Sequence, residues 1–86
     1  MASIEEVRAA IAQAVDKAGQ SAAALQQAAD LAKDAQALLS QATEGSDQAD
    51  VDQANAQFAE VANGVDDLQK FLANGISQAE NISARL

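Results

Sequence analysis

The chain has 86 residues, of which 49% are hydrophobic, and its thirteen acidic and five basic side chains give a formal net charge of −8. This balance argues against nucleic acid and anionic membranes, where Lys and Arg must neutralise phosphate. It favours solubility or a basic partner. The sequence has no Cys and no His, which excludes disulfides and the common transition-metal sites, and we expect no cofactor.

The length predicts one small domain over residues 1–86. The first residues are neither basic nor followed by a long apolar run, which predicts no conventional signal peptide and no membrane span. The expected location is therefore the cytoplasm, and export without a cleaved signal stays open.

Two apolar stripes with alternating steps of three and four residues run through the chain, and such spacing is typical of a helix that lies along another helix. In the heptad notation a–g, we take Ile4 and Val51 as a positions, so that both stripes occupy a and d. The first stripe comprises Ile4, Val7, Ile11, Ala14, Ala18, Ser21, Leu25, Ala28, Ala32, Ala35, Leu39 and Ala42. The second comprises Val51, Ala54, Phe58, Val61, Val65, Leu68, Leu72, Gly75, Ala79, Ile82 and Leu86.

The break between the stripes predicts a helix over 3–43, a turn over 44–47 and a helix over 48–84. Ser3 and Glu6 have the spacing of a capping box at the first helix N-terminus. The predicted turn residues are Gly45, a left-handed C-cap, and Ser46 and Asp47, candidate N-caps of the second helix. Because so short a connection forces an antiparallel return, the fold class is all-α, an antiparallel, coiled-coil-like two-helix hairpin. Its predicted core comprises Ile11, Leu25, Leu39, Phe58, Val65, Leu68, Leu72 and Ile82.

Further apolar residues lie beside the a/d stripes and widen the apolar arc beyond what a two-helix seam covers. They are Leu31, Leu38 and Phe71 at g, and Val15 and Ile76 at e. One interpretation is scattered exposed aliphatic residues, which are common. The other, which we favour, is an interface through which the hairpin dimerises into a four-helix bundle or docks a partner helix.

Gly64 and Gly75 lie three helical turns apart on nearly one face, within the related segments Val61–Val65 and Leu72–Ile76. They are either two tolerated glycines or a surface where another helix approaches closely. An interior Gly destabilises a helix by about 0.5–1 kcal/mol relative to Ala. The second interpretation would give a reason for this loss of stability at two positions.

The sequence carries no recognisable catalytic constellation, and we predict that the protein is not an enzyme. It has no His or Cys for nucleophilic or acid–base work and no glycine-rich phosphate loop. The acidic group Glu44, Asp47, Asp50 and Asp52 lacks the spacing of a calcium loop and is better explained as charge at a helix N-terminus.

The second helix resembles that of the WxG-type helical-hairpin proteins of type VII secretion, through Gln57-Phe58-Ala59-Glu60-Val61-Ala62 and Ile76-Ser77-Gln78-Ala79. The acidity, the length and the mid-chain turn agree, and Gly45 stands where that family has its turn glycine. The chain has neither the Trp of that turn nor the Tyr of the family's C-terminal export motif. The resemblance implies a homodimer or heterodimer that forms a four-helix bundle and acts as an adaptor or escort for a larger partner.

The function predicted from these features is a non-enzymatic helical protein–protein interaction module, with a type VII secretion-like adaptor or escort role implied by the resemblance. The alternative is a self-assembling structural or scaffold coiled-coil protein. A lipid or granule binder would need Lys and Arg along its polar faces, which this chain lacks. A nucleic-acid mimic would need carboxylates ordered along one face, whereas the acids here occupy several heptad positions.

Overall fold

The computed structural model describes residues 2–43 and 48–86, and 95% of the described residues are helical, with none in a strand. Helix α1 is Ile4–Ala42 and helix α2 is Gln48–Arg85. Each predicted helix differs from the observed one by at most one residue at either end. The predicted all-α helical hairpin is confirmed. The predicted turn residues Gly45, Ser46 and Asp47 lie outside the described residues.

Side chains at both ends of α1 satisfy backbone groups that the helix leaves free. Ser3, in an extended conformation, accepts a hydrogen bond from the Glu6 amide through its Oγ at 3.1 Å, as an N-cap does. At the other end Thr43 donates twice to the Leu39 carbonyl, from its amide at 3.1 Å and from its Oγ1 at 2.6 Å. The N-cap predicted from the sequence is therefore present.

The two helices run antiparallel along a rod of 65 × 17 × 15 Å. Hydrogen bonds between the helices fix which residues lie level with each other. The Gln36 Nε2 donates to the Asn55 carbonyl at 2.9 Å, and the Gln69 Nε2 donates to the Ala22 carbonyl at 3.2 Å. Residues far apart in sequence thus meet at two levels of one hairpin.

The contact between the helices uses heptad positions a and e, which we call the inner seam. The a positions of the stripes are buried or half-buried apart from Ile4 and Leu86 at the free ends. The flanking e positions are also buried or half-buried, with the exception of Arg8. They are Val15, Ala22, Ala29, Gln36 and Thr43 on α1, and Asn55, Ala62, Gln69, Ile76 and Ser83 on α2.

This seam corrects the predicted a/d packing, because several predicted d positions face outward. Leu68 and Ile82, which we expected in the core, are 49% and 46% exposed. Ala14, Ser21 and Ala28 on α1 and Val61 and Gly75 on α2 are likewise exposed. The other predicted core residues, which are Ile11, Leu25, Leu39, Phe58, Val65 and Leu72, are buried or half-buried in the seam.

The inner seam is narrow, since the only buried hydrophobic residues in the described chain are Ala29, Ala32, Val51 and Val65, and each keeps a small exposed fraction. None of these is a large side chain. Alanine on one helix lets the other approach closely, but it contributes little apolar area for the hydrophobic effect to act on. The hairpin alone therefore has a small core for its length.

A larger side chain in this seam should destabilise the hairpin. We expect Ala29→Leu to lower the free energy of unfolding by about 1–3 kcal/mol, because overpacking forces the helices apart. Urea unfolding, followed by circular dichroism at a protein concentration where the midpoint no longer depends on concentration, measures this change. The matched control is Ala23→Leu, at an exposed f position of the same helix. Equal stability of the two variants would contradict the a/e seam.

Candidate helix-docking face

Heptad positions d and g of both helices lie on one side of the hairpin. Each helix directs its a and e positions towards the other helix. Around the circumference of each helix, e lies on one side of a, and d and g lie on the opposite side of a. Because α1 and α2 run in opposite directions, these flanks fall on the same side of the rod. We call this surface, formed by positions d and g of both helices, the outer face.

Large apolar side chains populate the outer face and are open to solvent. Phe71 is 71% exposed and Leu38 is 64% exposed, and Leu31 is similarly open. The exposed large hydrophobic residues of this face are Leu31, Leu38, Val61, Leu68, Phe71 and Ile82. An exposed apolar surface that runs along most of a small protein is typical of an interaction site.

Charge is almost excluded from the outer face. Among the described charged side chains, only Lys17, Asp50 and Arg85 occupy d or g positions. All described acidic residues other than Asp50 occupy b, c or f, which point to the opposite side or to the outer edges of the rod. A partner on the outer face would therefore desolvate very few charges, and desolvation of charge is the main cost of burying a surface.

The opposite side of the hairpin carries the polar contacts between the helices. The Asn55 Nδ2 donates to the Ser40 Oγ at 2.8 Å, and the Gln69 Nε2 lies 3.4 Å from the Gln26 Oε1. These bonds join e positions to b positions across the seam. The two sides of the rod thus differ in chemistry, with amides and carboxylates on one side and aliphatic and aromatic groups on the other.

The predicted interface residues divide between the two surfaces. Leu31, Leu38 and Phe71 lie exposed on the outer face, where a docking role stays a prediction. Val15 and Ile76 lie half-buried in the inner seam instead, because e positions form the hairpin contact.

Sequence reasoning placed Leu68 and Ile82 in the core and Val61 in the same a/d stripe, and the structure adds all three to the outer face. The signal that could have found them is a second stripe with steps of three and four residues. It runs through Val61, Gly64, Leu68, Phe71, Gly75, Gln78 and Ile82.

Two of the four glycines also lie on the outer face. A Cβ added at Gly64 or at Gly75 would meet no atom within 4 Å, and neither glycine is needed for the contact between α1 and α2. Gly19, at a b position on the other side, is equally open. Gly64 and Gly75 leave notches in the outer face between the larger side chains of Val61, Leu68 and Phe71.

No cluster of three or more acidic, His or Cys side chains that could hold a metal ion occurs in residues 2–43 and 48–86. No helix in these ranges is both long and apolar enough to cross a membrane. The cleft between the helices near the free ends is lined mainly by Arg8, Ile11, Val15, Glu80 and Ser83. The outer face is the distinctive surface of the described chain.

Comparison with known proteins adds no family to these observations. No family model matches the chain, and no curated protein or solved structure matches it.

Replacing the open glycines by alanine should stabilise the isolated hairpin. We expect Gly19→Ala, Gly64→Ala and Gly75→Ala each to raise the free energy of unfolding by about 0.5–1 kcal/mol, since alanine loses less backbone entropy in a helix. Urea unfolding of dilute protein, where the midpoint is independent of concentration, tests all three. A loss of stability for Gly64→Ala or Gly75→Ala, with a gain for Gly19→Ala, would show that these glycines serve packing inside the hairpin.

Proposed function

We propose that this protein is a non-enzymatic helical protein–protein interaction module that binds a helical partner through the outer face. The observation that carries the proposal is the outer face itself, which is continuous, apolar and nearly free of charge on an otherwise acidic chain. The partner it fits is another pair of helices with an uncharged apolar stripe of the same spacing. Docking would complete a four-helix bundle, in which each helix buries two neighbouring faces.

The small core of the hairpin supports this function. Ala29, Ala32, Val51 and Val65 provide little buried area, whereas Leu31, Leu38 and Phe71 remain in water. A partner on the outer face would bury these larger side chains, and each could contribute up to about 1.5–3 kcal/mol when fully covered. Binding and folding stability are then linked, because a partner that binds only the folded hairpin stabilises it.

The alternative function is a self-assembling scaffold, and the two sides of the hairpin distinguish it from a closed module. A filament requires a second docking surface on each subunit, so that growth can continue. The side opposite the outer face carries carboxylates at b positions, including Asp52, Asp66 and Glu80, and further carboxylates at c and f line the outer edges of the rod. We therefore favour a closed complex. The adaptor or escort role implied by the resemblance to type VII secretion proteins stays a prediction.

Charged side chains on the outer face should strongly weaken docking while the hairpin stays folded. We expect the Leu31→Glu/Phe71→Glu variant to self-associate about a hundredfold more weakly than the natural chain, because docking would bury two unpaired carboxylates from each variant chain. Sedimentation velocity measures association, and circular dichroism checks that helicity is unchanged.

The matched control is Ala23→Glu/Ala73→Glu, which adds the same charge at exposed f and b positions away from the outer face. This control should associate like the natural chain. Equal association of the two double variants would contradict docking through the outer face, and large open-ended species in the control would favour the scaffold.

A further inference from the structure

The stripe of α2 on the outer face is complementary to its own reversed copy. When two copies of a helix are related by a two-fold axis, they run antiparallel, and residues at equal distances from the axis meet. With the axis at Leu68, Val61 lies opposite Gly75 of the second copy, each seven residues from the axis. Phe71, three residues from the axis, lies within one residue of Gly64, which is four residues from it. A large side chain meets a notch in both cases, as close packing requires.

The same axis also pairs residues of complementary size and charge at the ends of the stripe. Ile82 falls opposite Ala54 of the second copy, which is again a large residue against a small one. Asp50 and Arg85 are the only charged residues at d or g positions of the described α2, and they lie at its opposite ends. Reversal places Asp50 of each copy near Arg85 of the other, so both charges acquire a partner of opposite sign.

Helix α1 fits the same two-fold axis without any adjustment of the hairpin. The Gln69 Nε2 contacts both the Ala22 carbonyl, at 3.2 Å, and the Gln26 Oε1, at 3.4 Å. Ala24, midway between them in sequence and on the outer face, therefore lies level with Gln69, one residue or about 1.5 Å along the helix from Leu68.

An axis at Ala24 places Leu38 opposite Ala10 of the second copy, so a large residue again meets a small one. It also places Leu31 opposite Lys17, whose methylene stem can cover an apolar side chain while its ammonium group stays in water.

We propose that the partner on the outer face is a second copy of this chain, an inference that rests on the function proposed above. The two hairpins face each other across a two-fold axis that passes by Ala24 and Leu68, with their turns at opposite ends. The rod is 65 Å long and 15 to 17 Å across, and the outer face is one of its long sides. Its outline thus exceeds the roughly 800 Å² per partner that a stable interface buries. Apart from Asp50, the described acidic side chains, which would make two copies repel, lie off the face itself, on the opposite side or the outer edges of the rod.

A charge exchange at Asp50 and Arg85 tests the arrangement. We expect Asp50→Arg alone and Arg85→Asp alone each to weaken self-association by about tenfold, because each places two like-charged pairs at the interface. An equimolar mixture of the two variants should recover the natural affinity as a mixed dimer, and so should the double variant. Sedimentation equilibrium measures each affinity. Failure of the mixture to recover would overturn the antiparallel α2 contact.

Distances between spin labels test the orientation independently, and the chain's lack of Cys permits single labelling sites. Asp52→Cys, near the turn, should give a distance of about 48 Å along the rod, because about sixteen residues at ~1.5 Å each separate it from the axis on either copy. Asp67→Cys, beside the axis, should give a much shorter distance. Similar short distances at both sites would place the turns at the same end and overturn the proposal.

The glycine notches provide a third test with an internal control. We expect Gly64→Ala and Gly75→Ala to weaken the dimer about tenfold although each stabilises the hairpin itself, because a methyl group fills the space for Phe71 or Val61 of the second copy. Gly19→Ala stabilises the hairpin but lies off the interface, and it should leave the dimer unchanged. Equal dimer affinity in all three variants would overturn the close contact.

A natural chain that stays monomeric and helical at high concentration would overturn the second copy as the partner. The function proposed above would then be tested separately, by cross-linking the natural protein in its own cells and identifying its partner. It would fail only if that partner bound the Leu31→Glu/Phe71→Glu variant as well as the natural chain.

Discussion

The structure depends on the width of the apolar arc of each helix relative to what one neighbouring helix can cover. Apolar residues occupy positions e, a, d and g, an arc of roughly 160° at 100° per residue. A single antiparallel neighbour covers mainly the a and e part of this arc. The d and g part, with Leu31, Leu38 and Phe71, is therefore left in solvent by the geometry of a hairpin rather than by a local defect.

Polar side chains determine which part of the arc is covered inside the hairpin. Gln36, Asn55 and Gln69 occupy e positions and form hydrogen bonds across the seam, which they could not do from the outer face. One of them carries a penalty, because the buried Asn55 Oδ1 has no hydrogen-bond partner, and such an atom costs about 1–3 kcal/mol. A polar group in a helical seam commonly fixes how the helices align, and the hydrogen bond from the Asn55 Nδ2 to the Ser40 Oγ joins the two helices at one level.

The sequence was sufficient to predict the helices and the hairpin, because these follow from local signals. The a positions repeat every seven residues, Ser3 has the spacing of an N-cap, and the stripes break once. Spacing alone did not predict which of the two positions beside a, d or e, forms the contact between the helices. Positions d and e both lie next to a, and exposed Leu68 is a better core residue by composition than half-buried Gln69. The interhelix hydrogen bonds that decide between them depend on the relative level of two distant segments.

The same ambiguity divided the candidate docking residues. Leu31, Leu38 and Phe71 were recognisable as surplus to an a/d seam, whereas Val61 and Ile82 were hidden in the stripe assigned to the core. Val15 and Ile76 were misplaced for the converse reason, since the e flank became the contact. In a helix with a wide apolar arc, sequence periodicity thus identifies the whole arc. Only the packing shows which half contacts the neighbouring helix and which half stays exposed.

The separation of charge from apolar surface also gives the hairpin a preferred orientation. Apart from Asp50, the described carboxylates lie on the side opposite the outer face or along the outer edges of a rod that is only 15 to 17 Å thick, so the electric field of the molecule is weaker at the outer face than elsewhere. Near a positively charged surface the molecule turns its acidic side inward and lies flat. Its aliphatic and aromatic side then points away from the surface, so electrostatic attachment leaves that side accessible.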